Sequence, residues 1–333
     1  MSRVVVISRA GEASIPATAR KTLSVRHDVR FVQRRTAPSR GETERLLAGV
    51  DVLASTNVTL PRLDGALLQR LPRLRHVVLY ATGYEHLDLD ALGERGVGVT
   101  TLPEYATNAV AEHALGLIFA QATRVHLAND KARGMAPAQV SLRGVEITNR
   151  TIAVVGLGRI GRRLARLARG LGMRVIGVDI DPLAAARAVA SGIPVTSLGP
   201  ALAEADLVAL CASTVAGHYP ILTGDALALL HRDTFVVNVG RPVLAETGAI
   251  RSALLHRRLR GYAVDEVAFA ADHPVDRVLI AEGRILQTAH SAWWRDEVLA
   301  RGAQMFATAI LAAADGAPID VLMPGEPRLI EAG

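Results

Sequence analysis

Residues 154–182 read VVGLGRIGRRLARLARGLGMRVIGVDIDP, and this stretch decides the fold. An apolar run from Ile152 to Val155 leads directly into Gly156, Gly158 and Gly161 in G-x-G-x-x-G spacing. A helix-period segment follows, then a second apolar run ending at Asp179. Gly156 permits the tight turn out of the strand, Gly158 carries no side chain to hold a pyrophosphate off the backbone, and Gly161 lets helix and strand pack closely. Arg159 and Ile160 stand among the first residues of the helix, whose exposed N–H groups and dipole favour a phosphate.

Working outward, Ile160, Leu164, Leu167 and Leu171 recur at helical spacing and predict one apolar face laid on a sheet. Asp179 lies eighteen residues past Gly161. A carboxylate there can accept both hydroxyls of an adenosine ribose and would repel a 2′-phosphate, so NAD is expected rather than NADP. Arg162, Arg163 and Arg166 read as a solvated face.

The chain has 333 residues, enough for two domains with separate cores, and its 50% hydrophobic but 4% aromatic composition predicts a mostly aliphatic interior. No apolar run reaches the length of a membrane span, and the start MSRVVVISRAG lacks the form of a signal peptide, so a soluble cytoplasmic protein is expected. The net charge is +6 and the pI about 10.0, yet the basic residues are scattered among acids, which argues against nucleic-acid binding. That charge suits steering of small organic anions. Cys211 is the single cysteine and sits in the apolar run LVALCA, as a buried, inert thiol would. The ten histidines show no metal-ligand spacing, and no metal is expected.

Alternating strand and helix patterns run from end to end and predict parallel sheets covered by helices. RVVVIS, VRFV, DVLAS, HVVLYA and VGVTT read as strands of a first doubly wound sheet. EYATNAVAEHALGLIFAQATRVHLAND reads as one long amphipathic helix connecting to a second unit, which starts near Thr151. GIPVTSL, DLVALCA, TFVVNVG, GYAVDEV and RILQTAH read as its later strands. A final helix is expected from Trp293 to about Asp315, followed by a loose tail, MPGEPRLIEAG.

With these strands placed, the chain resembles the D-isomer-specific 2-hydroxyacid dehydrogenases over nearly its full length. YATGYEHLDLDALGERGVGVTTLPEYATNAVAEH, from Tyr80 to His113, is similar to the substrate-loop and linker signature in its glycerate dehydrogenase and hydroxypyruvate reductase form. GLGRIG with Asp179 resembles the cofactor motif, VVNVGRPVLAE the N-x-x-R-G segment, GYAVDE the nicotinamide-side strand and TAHSAWW the P-H-x-x segment.

The resemblance implies a discontinuous α/β architecture of two doubly wound parallel-sheet domains. A Rossmann NAD domain (103–291) would be inserted into a smaller flavodoxin-like substrate domain (1–102 with 292–333), with substrate in the cleft between them and two chains paired as a homodimer. It implies hydride transfer between NAD(H) and a small 2-hydroxy or 2-oxo acid. Arg241 would clamp the substrate carboxylate through its planar fork, and His290 would donate and retrieve the carbonyl proton. Ser213, Val239, Gly240 and Asp265 would join the cofactor site, Asp265 by accepting from the nicotinamide carboxamide. The loop Ala81, Thr82, Gly83 would offer backbone N–H groups to the carboxylate. Tyr80 and Tyr84, which flank it, have a pocket or a packing role open to them.

The chain departs from the family at Ala270, where a glutamate that pairs with the histidine is usual, in the run DEVAFAADHP. Glu266 and Asp272 are the possible substitutes. Alternation turns Glu266 away from Asp265 if the strand continues, which slightly favours Asp272 without deciding for either. Pro242 replaces a glycine after the arginine, and Ala289 a proline before the histidine. Trp293 and Trp294 resemble the A-W pair of C-terminal-binding-protein corepressors; an indole could line the pocket, or both could anchor the last helix. GYA-x-D followed by AADHPVDRVLI also resembles phosphite dehydrogenase. A phosphite- or phosphonate-type oxidoreductase and a catalytically weakened NAD-sensing protein therefore stand as alternatives.

Overall fold

Five apolar runs in the first hundred residues become β1 (Arg3–Ser8), β2 (Asp28–Gln33), β3 (Val52–Thr56), β4 (His76–Tyr80) and β5 (Gly98–Thr100). The computed structural model describes residues 1–84, 86–214 and 219–322. The described residues fall into two compact units, one of 1–106 with 295–322, the other Thr107–Trp294. In the first unit the five strands are parallel in the order β5-β4-β3-β1-β2. Val4 to Ile7, Val52 to Ala54 and Val77 to Leu79 are buried, the continuous apolar runs required of parallel strands covered on both faces.

The second unit carries β6 (Thr151–Val155), β7 (Arg174–Val178), β8 (Leu207–Leu210), β9 (Phe235–Asn238), β10 (Gly261–Val264) and β11 (Ile285–Gln287). They form a parallel sheet in the order β11-β10-β9-β8-β6-β7. The expected strand GIPVTSL is reduced to an isolated bridge, Gly177 to Val195, on the open side of β7. Pro194 contributes only its carbonyl there, to the Gly177 N–H, because proline has no donor with which to extend a ladder. With that vestige counted, the order is the doubly wound nucleotide-binding one, whose direction reverses between β6 and β8.

Two helical expectations need correction. The single long connector is two helices, Thr107–Thr123 and Val125–Ala132, broken at Arg124, whose φ of 56° is left-handed. The first of them has a broad buried face, since Ala109, Val110 and Leu117 are buried beside the stripe of Ala111, Ala114, Ile118 and Ala122. The last helix runs Asp296–Ala314, with Asp296 and Glu297 in its first turn, so Trp293 and Trp294 precede it.

That helix lies on β4 within the first unit. Tyr80 packs edge-on against Tyr105 and Phe306, at centroid distances of 5.4 and 5.2 Å, and its hydroxyl donates to the Leu299 carbonyl at 3.3 Å. Gly302 has no side chain where that hydroxyl sits, and burial pushes the phenol pKa up to about 12. Tyr80 is thus a packing residue. Beyond the helix, β12 (Val321–Leu322) adds an antiparallel strand to β5 that patterning does not foretell. The expected tail MPGEPRLIEAG lies outside the described residues.

Candidate active site

The glycine turn is built from backbone contacts that side chains would obstruct. Gly156 has φ +93°, and a Cβ on it would lie 2.5 Å from the Ala212 Cα; one on Gly161 would collide with the Gly156 carbonyl. The Gly156 N–H donates to Val178 O at 2.8 Å, and the buried Leu157 follows. Gly158 is the N-cap of the helix Arg159–Gly170, whose first N–H groups have no partner within the helix. Asp179 Oδ2 accepts from the Leu157 N–H at 2.5 Å and Oδ1 from the Asp181 N–H at 2.8 Å. The carboxylate thereby braces the turn. The open helix terminus, the side-chain-free turn and the acid beyond β7 together fit a dinucleotide.

The helix's buried face is Ile160, Gly161, Leu164, Ala165 and Ala168, so it is turned from the expected stripe, and Leu171 sits exposed past its end. Arg162 is not simply a solvated residue: its Nη1 donates to the Leu157 carbonyl at 2.7 Å, closing the turn from the helix side. Ser213 lies half-buried in the loop after β8. Cys211 is buried there, and burial pushes its thiol pKa up to about 12.

Arg241, Asp265 and His290 follow the C-terminal ends of β9, β10 and β11, three adjacent parallel strands in which Val264 is in register with Asn238 and Gln287. Neighbouring strands lie about 4.8 Å apart, so the sheet presents these segments side by side. Asn238 organises the first segment. Its Oδ1 accepts from the Gly240 N–H at 3.1 Å, and its Nδ2 donates to the Arg241 carbonyl at 2.8 Å and to the Tyr262 hydroxyl at 3.0 Å. Val239 is buried and Arg241 half-buried, with its Nη1 donating to the Gly240 carbonyl at 3.0 Å. Pro242 opens a short 3₁₀ turn, a position where its missing N–H costs nothing.

Asp265 ties β10 to the loop after β11. Oδ1 accepts from the Thr288 hydroxyl at 2.6 Å and the Ser291 N–H at 2.9 Å, Oδ2 from the Ala292 N–H at 3.0 Å. His113 Nε2, on the helix Thr107–Thr123, is 3.4 Å from Oδ1 and 3.1 Å from the Thr288 hydroxyl. Burial alone would raise the Asp265 pKa, but the bonds from His113, Thr288, Ser291 and Ala292 outweigh it and hold the carboxyl at about 2. Asn238 is the asparagine of the N-x-x-R-G segment and His113 closes the linker signature, but only the tertiary bonds show what either side chain holds.

His290 adopts φ 52° and remains half-exposed, with its Nδ1 3.0 Å from Glu266 Oε1. The substitute for the absent glutamate is therefore Glu266, not Asp272. Strand β10 ends at Val264, so the alternation that would turn Glu266 away does not apply. The loop after it is shaped by Gln287, whose Oε1 accepts from the Ala268 and Phe269 N–H groups and whose Nε2 donates to the Phe269 carbonyl. The Ala270 N–H is bonded to the buried Asp276, itself clamped by Arg251. Trp293 and Trp294 meet edge-to-face at 5.0 Å, the first half-buried and the second exposed.

In the first unit, the Ala81 N–H donates to Leu79 O at 2.9 Å and the Thr82 hydroxyl to Leu102 O at 3.1 Å. Gly83 and the buried Tyr84 follow. Among the described residues no His, Cys, Asp and Glu cluster could hold a metal, and no helix is long and apolar enough to cross a membrane.

Known proteins resemble this chain in sequence and in fold. The family model for the D-isomer specific 2-hydroxyacid dehydrogenase NAD binding domain matches residues 115–292. A glyoxylate reductase of Thermococcus gammatolerans is 32% identical over 224 residues, covering 65% of this chain and 66% of that protein. One from Pyrococcus furiosus is 30% identical over 255 residues, covering 74% and 75%. A solved Thermus thermophilus structure superposes with a TM-score of 0.80 at 28% identity, covering 96% of this chain and 99% of the other. A glyoxylate reductase from Paecilomyes thermophila shares the fold, with a TM-score of 0.83 at 20% identity over 96% of this chain and 98% of the other.

Proposed function

This chain belongs to the D-isomer specific 2-hydroxyacid dehydrogenase family, and we propose that Arg241 and His290 carry its reaction on a small 2-hydroxy or 2-oxo acid. The cofactor is NAD, which when bound supplies or accepts the hydride at C2 of the substrate. Gly156, Gly158 and the first turn from Arg159 through Gly161 hold its pyrophosphate, and Asp179 its adenosine ribose. Ser213, Val239 and Gly240 line the remainder. Oδ2 of Asp265 accepts one of the bonds given above and retains a lone pair for a carboxamide N–H.

Arg241 grips the substrate carboxylate through its guanidinium, a planar fork matched to two oxygens. His290 moves the proton. With Nδ1–H directed at Glu266, Nε2 is the ring nitrogen that faces chemistry, donating to the carbonyl oxygen in reduction and taking the proton back in oxidation. The Glu266–His290 pair is the observation that carries this function, because it gives the histidine a fixed ring orientation despite Ala270. We assign Thr82, Gly83 and Ala81 to substrate binding, with the N–H donation falling to Thr82 and Gly83 since that of Ala81 is directed to Leu79. Trp293 is assigned to the wall of the substrate site. A homodimer and a cytoplasmic setting belong to the same proposal, the first checked by solution mass.

The test is NADH consumption with a panel of glyoxylate, hydroxypyruvate, pyruvate and bulkier 2-oxo acids. Turnover is expected, with His290→Gln lowering kcat by roughly 10²–10⁴-fold and Arg241→Gln mainly raising KM. Background rates across the panel in a protein that binds NADH tightly would overturn the assignment. Neither the phosphonate-type nor the NAD-sensing alternative gains an observation of its own.

A further inference from the structure

His113 stands on the helix Thr107–Thr123, away from the loops that follow the strand ends, yet it reaches Asp265. Two contacts set the height of that helix against β10. Near its C-terminal end, Gln121 Nε2 donates to the Tyr262 carbonyl at 3.5 Å, and Gly261 has no side chain where that amide lies. Eight residues before Gln121 comes His113, and four residues after Gly261 comes Asp265. Eight residues of helix rise about 12 Å and four of strand span about 13 Å, so the close approach at Gly261 brings His113 level with Asp265.

Each proton in this cluster is placed by its neighbours. Burial would raise the Asp265 pKa, but the bonds the side chain accepts hold it at about 2, so it is a carboxylate and can only accept. Thr288 Oγ1 gives its one proton to Oδ1 of Asp265 at 2.6 Å, and toward His113 Nε2, at 3.1 Å, it can then only accept. Nε2 therefore carries a proton. The same Nε2 lies 3.4 Å from Oδ1, so one N–H steadies both the hydroxyl and the carboxylate. With the Ser291 N–H, three donors converge on Oδ1, whereas Oδ2 takes the N–H of Ala292. The His113 and Asp265 side chains are 12% and 7% exposed, which leaves little room for water to replace these bonds.

We propose, resting on the assignment of Asp265 to the nicotinamide carboxamide, that His113 is a positioning residue: it locks the Asp265 carboxylate so that Oδ2 is the oxygen left to accept the carboxamide N–H. Its N–H fixes the direction of the Thr288 hydroxyl and holds Oδ1 toward the helix, which blocks rotation of the carboxylate about its Cβ–Cγ bond. Recognition of the cofactor then extends to the substituent on its nicotinamide ring. A nucleotide whose substituent carries no N–H leaves Oδ2 with an unmet acceptor in a buried place, and such a loss is costly. Without His113 the carboxylate is free to turn, and this discrimination is the property that goes.

The test is titration calorimetry of the full chain with three ligands. NAD⁺ is compared with 3-acetylpyridine adenine dinucleotide, whose acetyl group keeps the carbonyl but has no N–H, and with ADP-ribose, which has no ring. The native protein is expected to bind NAD⁺ about tenfold more tightly than the acetylpyridine analogue. In His113→Leu the NAD⁺ affinity falls about tenfold while the other two ligands bind nearly as before, and His113→Gln, whose amide supplies an N–H, restores most of the loss. Thr288→Val keeps the shape without the hydroxyl and should repeat the selective loss, which provides the comparison if His113→Leu fails to fold. Equal losses for all three ligands, no loss in either variant, or His113→Gln as weak as His113→Leu would each overturn the proposal. A native protein that binds NAD⁺ and its acetylpyridine analogue alike would instead remove Asp265 from the carboxamide, and the role of His113 would fall with it.

Discussion

Glu266 Oε1 lies 3.0 Å from His290 Nδ1, joining the first loop residues after β10 to the loop after β11. The family's usual carboxylate position is Ala270, but a histidine needs only some acceptor at hydrogen-bond distance, and here the strand ends early enough for Glu266 to serve. The Asp265 bonds to the Ser291 and Ala292 N–H groups hold the backbone directly after His290, so two consecutive acids share the work of placing it.

Glu266→Gln should therefore lower kcat about tenfold with KM little changed, since the pair is partly exposed and screened. Glu266→Asp keeps a carboxylate acceptor for Nδ1 and should restore part of the activity. Ala270→Glu in the unaltered background should leave kcat in place. A wild-type kcat in Glu266→Gln would show that Glu266 does not serve His290.

Gly156→Ala tests the turn. Left-handed backbone and a Cβ 2.5 Å from Ala212 Cα make alanine untenable without a backbone shift. The expected cost is on the order of 2–4 kcal/mol of stability with a loss of NADH affinity. Denaturant unfolding and NADH fluorescence titration measure both, and wild-type values in each would refute the tight-turn geometry.

His76 sets a pH dependence within the first unit. It is buried on β4, with Nε2 2.9 Å from the Thr100 hydroxyl, which donates onward to Ile319 O, so the ring is a neutral donor. Burial, and then the charge of Arg75, lowers its pKa from 6.5 to about 4. The unfolded chain takes up this proton below 6.5 and the folded chain only near 4. Stability from this group is thus complete above pH 6.5 and is lost as pH falls toward 4, by on the order of 3 kcal/mol. His76→Gln, whose amide can still donate to Thr100, should flatten that part of the stability curve; an unchanged slope between pH 6.5 and 4 would count against it.

Cys211 should stay unmodified by thiol reagents at pH 8 in the folded protein and react promptly in denaturant. Its thiol is buried and its pKa is pushed up to about 12, so little thiolate is present. Rapid labelling of the native chain would contradict that burial.

The sequence by itself determined the nucleotide turn, because Gly156, Gly158, Gly161 and Asp179 act within one β-α-β unit, where spacing along the chain is also spacing in space. It also determined most strands, since parallel strands covered on both faces must be short continuous apolar runs. Tertiary structure alone decided the rest. The partner of His290 and the contact of Asp265 with His113 each join residues from separate elements, and no local period records which loop ends beside which. Where Pro194 reduces an apolar run to a bridge, and where Arg124 breaks a helix-period segment in two, the pattern of apolar residues is the same as in an intact element. Hydrogen bonds and backbone angles, not hydrophobicity, settle those points.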